Sequence, residues 1–181
     1  MKITITGDPG SGKSTVSKML SQELKLKYYS TGEMFRRIAH DMNLSFKELT
    51  QHAEKDARID KRIDNYQKTL GKKEDNFILE GRLGFHFIPD SIKIKLTVKP
   101  EEAAKRIMQD KRRDESYLNL QEAIKAVNER KASEKKRYKE SYNIDVEDSK
   151  NYDLIIDTTI IPAAEVVKKI RKKIIIFLSL S

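Results

Sequence analysis

The residue types and spacing that most directly support chemistry in this 181-residue chain are Gly7-Asp8-Pro9-Gly10-Ser11-Gly12-Lys13-Ser14. The segment fits G-x-x-x-x-G-K-[ST], and three of the chain's seven glycines fall within six residues there. Glycines let the backbone wrap a phosphate, so that successive N–H groups converge on its oxygens at a helix N-terminus. Lys13 would reach β- and γ-phosphates, the Ser14 hydroxyl would ligate Mg²⁺, and Thr15 beside it would belong to the ATP-binding set. The pattern predicts a nucleoside-triphosphate site, with ATP as co-substrate.

A cradle of this kind needs a strand before it and a helix after it, and both are legible. Short β-branched runs recur at Ile3–Thr6, Tyr28–Tyr29, Phe77–Leu79, Ile92–Val98 and Leu154–Ile156. Between them lie stretches with apolar residues three or four apart, such as Val16, Met19, Leu20 and Leu24. Strands alternating with amphipathic helices predict an α/β fold with a parallel sheet covered on both faces. Ser30 with Glu33 forms an S-x-x-E capping signature, so a helix is expected to start near residue 31. Pro100 and Pro162 fit the first turns of two further helices.

Composition narrows the class. The chain has no cysteine, which excludes disulfides and thiolate metal sites. Its longest apolar run, Ile174–Leu178, is far short of the ~20 residues that span a bilayer. The N-terminus lacks the pattern of a signal peptide, so a cytoplasmic, membrane-free protein is expected. The formal net charge of +9 points to an anionic partner. Residues 105–139 carry +6 of it and residues 165–181 carry +4.

A GTPase would carry D-x-x-G and N-K-x-D, and neither occurs. That leaves small phosphoryl-transfer enzymes, which need a second site for the acceptor. Tyr29-Ser30-Thr31-Gly32-Glu33-Met34-Phe35-Arg36 places a strand end, a small-residue turn and an arginine one turn into a helix. Leu79-Glu80-Gly81-Arg82 ends the third apolar strand with an acid, a glycine and an arginine. Carboxyl ends of strands line the ligand crevice of a doubly wound sheet, so Arg36 and Arg82 would converge on the cradle there. Guanidinium grips phosphate bidentately.

These residues carry a resemblance. G-D-P-G-S-G-K-S, S-T-G-E-M-F-R, L-E-G-R-L-G-F-H-F-I-P-D and N-E-R-K-A-S-E-K-K-R-Y-K-E resemble the nucleoside-monophosphate kinases, most closely cytidylate kinases of the archaeal type. The resemblance implies one P-loop kinase domain over 1–181, a three-layer α/β/α fold with a five-stranded parallel sheet. It implies core segments 1–30, 73–110 and 138–181, a helical monophosphate-binding insert at 31–72 and a helical lid at 111–137. By position, Lys13 and Ser14 bind triphosphate and Mg²⁺, and Glu80 touches Mg²⁺ through water. Thr31, Gly32, Arg36 and Arg82 hold the acceptor, CMP or dCMP. Arg130 and Arg137 close on the phosphoryl in flight, with Arg112 or Arg113 opening the lid. Bacterial cytidylate kinases have a longer insert with a cytosine-binding Arg-Asp pair, which is not found in this sequence. The expected state is a monomer acting on nucleotides, without nucleic acid or membrane.

Base reading has two candidates of equal standing. Arg58, Asp60, Asp64 and Gln67 recur at helical spacing, and Asp and Gln can meet a cytosine edge. The same spacing fits a solvated helix face with charge pairs. The acceptor is a phosphate monoester with a second pKa of about 6, so its attacking oxygen is largely ionised at pH 7 and needs no base. The three histidines, His40, His52 and His86, have neither metal-ligand nor triad spacing. The competing readings are a kinase for AMP, UMP or a shikimate-like alcohol, the last requiring a carboxylate base, and a nucleic-acid-binding ATPase.

Overall fold

The computed structural model describes residues 1–110 and 117–179. Lys2–Gly7 forms β1, Lys27–Ser30 β2, Phe77–Glu80 β3, Ile92–Thr97 β4 and Leu154–Asp157 β5. They pair in parallel in the order β2-β3-β1-β4-β5, so the five apolar runs of the sequence are the five strands of one sheet. The period-2 alternation of each strand divides its side chains between two cores. Ile3, Ile5 and Ile78 pack on one face under helices α1 (Lys13–Leu24) and α8 (Ala163–Ser179), with Val16, Leu20, Val166 and Ile170. Phe77 and Leu79 point the other way, toward Leu70 and Ile88.

The chain reverses its direction of travel across the sheet at β1, which has β3 on one side and β4 on the other. Ligands bind outside the carboxyl ends of strands at such a point. A side chain at Gly7 would put its Cβ 2.2 Å from the Leu96 carbonyl oxygen. Glycine is therefore what lets the Asp8 N–H close on that carbonyl at 3.0 Å as the chain leaves β1. Helix α1 then starts after Gly12, which has φ 80° and no side chain with which to cap. Its first N–H groups face the loop for want of such a cap.

Three helices separate β2 from β3. The Ser30 hydroxyl accepts from the Glu33 N–H and starts α2 (Thr31–Asp41), as the capping signature predicts. Ser45 and Glu48 cap each other reciprocally at the start of α3 (Phe46–Lys55), and α4 runs Ala57–Lys73. These helices share a small core of their own, with Phe35, Ile38, Leu49, Ile59 and Ile63.

Beyond β3, α5 is Gly84–Phe87, α6 is Pro100–Gln109 and α7 is Leu120–Tyr142. Helices α6 and α7 pack through Ala103, Ala104, Ile107, Ala123 and Val127. Pro100 opens α6 as expected. Pro162 instead lies one residue before α8, where its carbonyl accepts from the Glu165 and Val166 N–H groups. The apolar tail extends α8, with Ile174 buried and Ile175, Ile176 and Phe177 exposed. No helix among the described residues is long and apolar enough to cross a membrane.

Candidate active site

One cleft of about 490 Å³ lies at the carboxyl ends of the strands. Pro9, Gly10, Gly12, Lys13, Ser14 and Thr15 line one end of it. Thr31, Gly32 and Arg36 reach it from α2, Asp60, Asp64 and Gln67 from α4, and Glu80 and Arg82 from the end of β3. Arg130 and Arg137 face it from α7. Gly7, Asp8 and Ser11, residues of the same loop, are not among those that line the cleft. The Asp8 carboxylate accepts from the Val98 N–H and pairs with Lys131 at 3.1 Å. Arg112 and Arg113 fall outside the described residues. Arg58 is turned away: its guanidinium is 89% exposed and grips Asp56.

Glu80 is the hub of the hydrogen bonds beside Lys13 and Ser14. Its register opposite Ser30 and Ile5 buries it in the sheet. It accepts hydrogen bonds from Tyr28 at 2.7 Å, Ser30 at 2.9 Å and Ser14 at 3.1 Å. Burial pushes its pKa up, but the Lys13 charge and the three hydroxyl donors outweigh burial, and the carboxyl ends below its ordinary value. A Cβ at Gly81 would meet Thr31 Oγ1 at 2.6 Å, so glycine there allows β3 and α2 to close the floor of the cleft. Lys13 donates to the Asp8 carbonyl at 2.7 Å. Its burial, then the Arg82 charge, hold its pKa well below the ordinary value, against the pull of Glu80 and Glu134. An anion bound beside it would reverse that shift.

Four contributors to the site carry no signal of local spacing. Glu134 on α7 pairs with Arg82 Nε at 2.8 Å and with Arg130 Nε at 3.1 Å. Burial raises its pKa, yet the two guanidiniums more than reverse this and hold it below the ordinary carboxylate value. Lys131 joins α7 to the phosphate loop through Asp8. Arg106 on α6 donates to the Thr158 carbonyl at 2.8 Å and the Gly10 carbonyl at 3.4 Å, tying the loop to the turn after β5. Tyr142, at the end of α7, donates to Asp64 Oδ2 at 2.6 Å.

At the other end of the cleft, Asp60, Asp64 and Gln67 face inward from α4 and are largely buried, which rules out the solvated-face alternative for them. Lys61 and Arg62 take the exposed side of that helix. Arg137 Nε lies 3.4 Å from Asp60 Oδ2, and Arg137 Nε and Nη1 have no hydrogen-bond partner among the described residues. This ion pair joins α7 to α4 at the cleft. Burial raises the pKa of both Asp60 and Asp64.

The +6 surplus of residues 105–139 is divided by the helix faces. Arg106, Arg130 and Arg137 line the cleft, whereas Lys125 and Lys136 lie outside it in exposed pairs, each four residues before a glutamate. The +4 of α8 is a surface property, with Lys168 paired to Glu165 and Arg171 to Glu23.

Solved structures share this architecture. The shikimate kinase of Aquifex aeolicus superimposes with a TM-score of 0.61 at 23% identity, over 96% of each chain. An uncharacterized protein from Eubacterium ventriosum gives 0.69 at 20% identity, over 95% of this chain and 96% of that one. At these identities the likeness speaks to the fold alone. Sequence relatives are closer. The cytidylate kinase of Methanothrix thermoacetophila is 43% identical over 158 residues, 87% of this chain and 88% of the relative. That of Archaeoglobus fulgidus is 36% identical over 175 residues, 96% of this chain and 94% of the relative. The model of the cytidylate kinase-like family matches residues 2–160, from the first strand past the last, and the chain belongs to that family.

Proposed function

We propose that this chain is a nucleoside-monophosphate kinase that transfers the γ-phosphoryl group of ATP to CMP or dCMP, giving ADP and CDP or dCDP. The observation that carries the reading is the single cleft with a phosphate loop at one end and buried, inward-facing Asp60, Asp64 and Gln67 at the other. Arg36 and Arg82 line the same cleft, which supports their use as the grip on an acceptor phosphate. The family supports the same substrate pair.

The residues divide the work. Helix α1 and Lys13 hold the triphosphate, while Arg36 and Arg82 hold the acceptor phosphate and offset its charge. Bringing two anions together is the main entropic and electrostatic cost of the reaction, which is why cations crowd the cleft. Attack by the ionised acceptor oxygen forms the new P–O bond as the bond to ADP breaks, and ADP leaves with the electron pair. The site therefore needs no general base. Ser14 Oγ and the Glu80 carboxylate are hard oxygen donors 3.1 Å apart, a set that suits Mg²⁺. When bound, Mg²⁺ supplies charge neutralisation on the phosphate oxygens. The helical unit α2–α4 acts as the acceptor arm and α7 as the lid helix.

Arg137 lines the cleft from α7, and two of its guanidinium nitrogens have no hydrogen-bond partner among the described residues, which suits a cation that closes on the phosphoryl in flight. Arg137→Ala is therefore expected to lower kcat by about 10²-fold with little change in the KM for ATP. Steady-state kinetics at saturating CMP check this, and an effect confined to the ATP KM would contradict it. The function itself is tested by a coupled ADP-release assay with ATP, Mg²⁺ and each of CMP, dCMP, UMP, AMP and GMP, with shikimate as a control. CMP and dCMP are expected to stimulate turnover most strongly. Turnover with shikimate and none of the monophosphates would overturn the reading.

A further inference from the structure

The end of α7 and the middle of α4 meet in one hydrogen bond that the phosphate chemistry does not use. Tyr142 donates to Asp64 Oδ2 at 2.6 Å, and both side chains line the acceptor end of the cleft. The Tyr142 ring is fixed from behind by Phe87, at 5.9 Å with an interplanar angle of 87°, and by Tyr138 at 6.4 Å. Nearby, Gln67 is 2% exposed and its Oε1 has no hydrogen-bond partner among the described residues. The two side chains differ in what they can select. A glutamine amide can rotate to offer either a donor or an acceptor, so it accommodates an amino or a carbonyl group alike. An ionised carboxylate only accepts. Cytosine presents an amino group where uracil presents a carbonyl oxygen.

Resting on the acceptor reading above, we infer that Tyr142 is a positioning residue for base choice: its hydroxyl holds Asp64 as an oriented, acceptor-only carboxylate that admits an amino base and repels a carbonyl one. The groups facing Asp64 pull in both directions, with a net shift upward, which is why the Tyr142 bond matters to its ionised form. Burial and the neighbouring Asp60 on α4 favour its protonated form, which could donate to a carbonyl and so admit uracil. Opposing them are the Tyr142 bond and the Arg137 charge from α7, and Lys68 from α4 itself. On α5, His86 lies against the ring of Tyr142. Burial and the Asp64 carboxylate push the Tyr142 hydroxyl far above its ordinary pKa, so it remains a donor throughout the working range.

The test is the ratio of kcat/KM for CMP to that for UMP, measured from roughly pH 5.5 to 8 in wild type, Tyr142→Phe and Asp64→Asn. The second phosphate ionisation is common to both substrates and cancels in the ratio. Wild type is expected to lose preference for CMP as pH falls. Tyr142→Phe keeps the ring contacts and is expected to show a ratio about tenfold lower at neutral pH, with the acidic fall displaced to higher pH. Asp64→Asn, able to accept or donate, is expected to show little preference and no pH dependence in the ratio. It reads the same question if Tyr142→Phe lowers Tm severely. An equal loss for CMP and UMP in Tyr142→Phe, or an Asp64→Asn ratio that follows wild type, would overturn the inference while leaving the kinase reading intact. Absence of turnover with either monophosphate in wild type would remove the acceptor reading and this inference together.

Discussion

Replacing Lys13 with methionine is expected to lower kcat/KM by about 10³-fold or more while leaving Tm unchanged or raised. The two halves of this expectation have one cause. Lys13 is held beside Arg82 in a poorly solvated position that disfavours its charged form, so the fold gains little from its ammonium. Methionine has a similar length and carries no charge to desolvate. The cation matters when two phosphates enter, since their mutual repulsion is offset only by cationic groups already in place. Thermal unfolding without nucleotide and steady-state kinetics with ATP and CMP separate the two halves. Loss of activity accompanied by a large fall in Tm would mean that Lys13 holds the loop together rather than the phosphates.

Arg82→Ala is expected to lose about 10³-fold in kcat/KM and also about 3 kcal/mol of stability, or roughly 8 °C in Tm. The stability loss comes from Glu134, whose side chain is 13% exposed and would keep only Arg130 as an ion-pair partner of the two in this triad. Its pH dependence has a definite sign. Glu134 has a lowered pKa in the folded protein, so its pairing stabilises above the ordinary carboxylate range and is lost as pH falls through the folded value. The Tm gap between wild type and Arg82→Ala is therefore widest near neutral pH and closes on acidification, as the stranded carboxyl takes up a proton. The double variant Arg82→Met/Glu134→Leu is expected to recover most of the Tm and none of the activity. A Tm gap that stays constant with pH would show that the pair contributes packing rather than charge.

How far the sequence discloses the site follows from where each partner lies in the chain. The phosphate loop, the strand before it and the helix after it are contiguous, and each is fixed by local rules of glycine conformation and hydrophobic period. Ser30 capping Glu33 is equally local, so a helix start near residue 31 is foreseen. Glu80 and Arg82 are legible because they sit at a strand–loop junction, and Arg36 because it lies one turn into the helix after β2; the place of both in a parallel sheet is general. Glu134, by contrast, is 52 residues from Arg82 and Tyr142 is 78 residues from Asp64. Neither pair has a spacing that could announce it. Arg137 and Asp60 likewise meet only when α7 is laid across α4. In α4 the sequence leaves two faces open, and burial selects the one bearing Asp60, Asp64 and Gln67 while turning Arg58 outward. The basic surplus shows the same division, since net charge does not record which face of a helix a lysine occupies.

The most direct test of the account follows the γ-phosphoryl group itself. Purified protein is given ATP labelled at the γ-phosphate, with Mg²⁺ and CMP, and the label is traced into products over a time course. The account predicts label in CDP, one ADP formed for each CDP, and only a minor share as inorganic phosphate. Label released as inorganic phosphate at the same rate with and without CMP would contradict it, because the cleft would then be activating water rather than a second nucleotide.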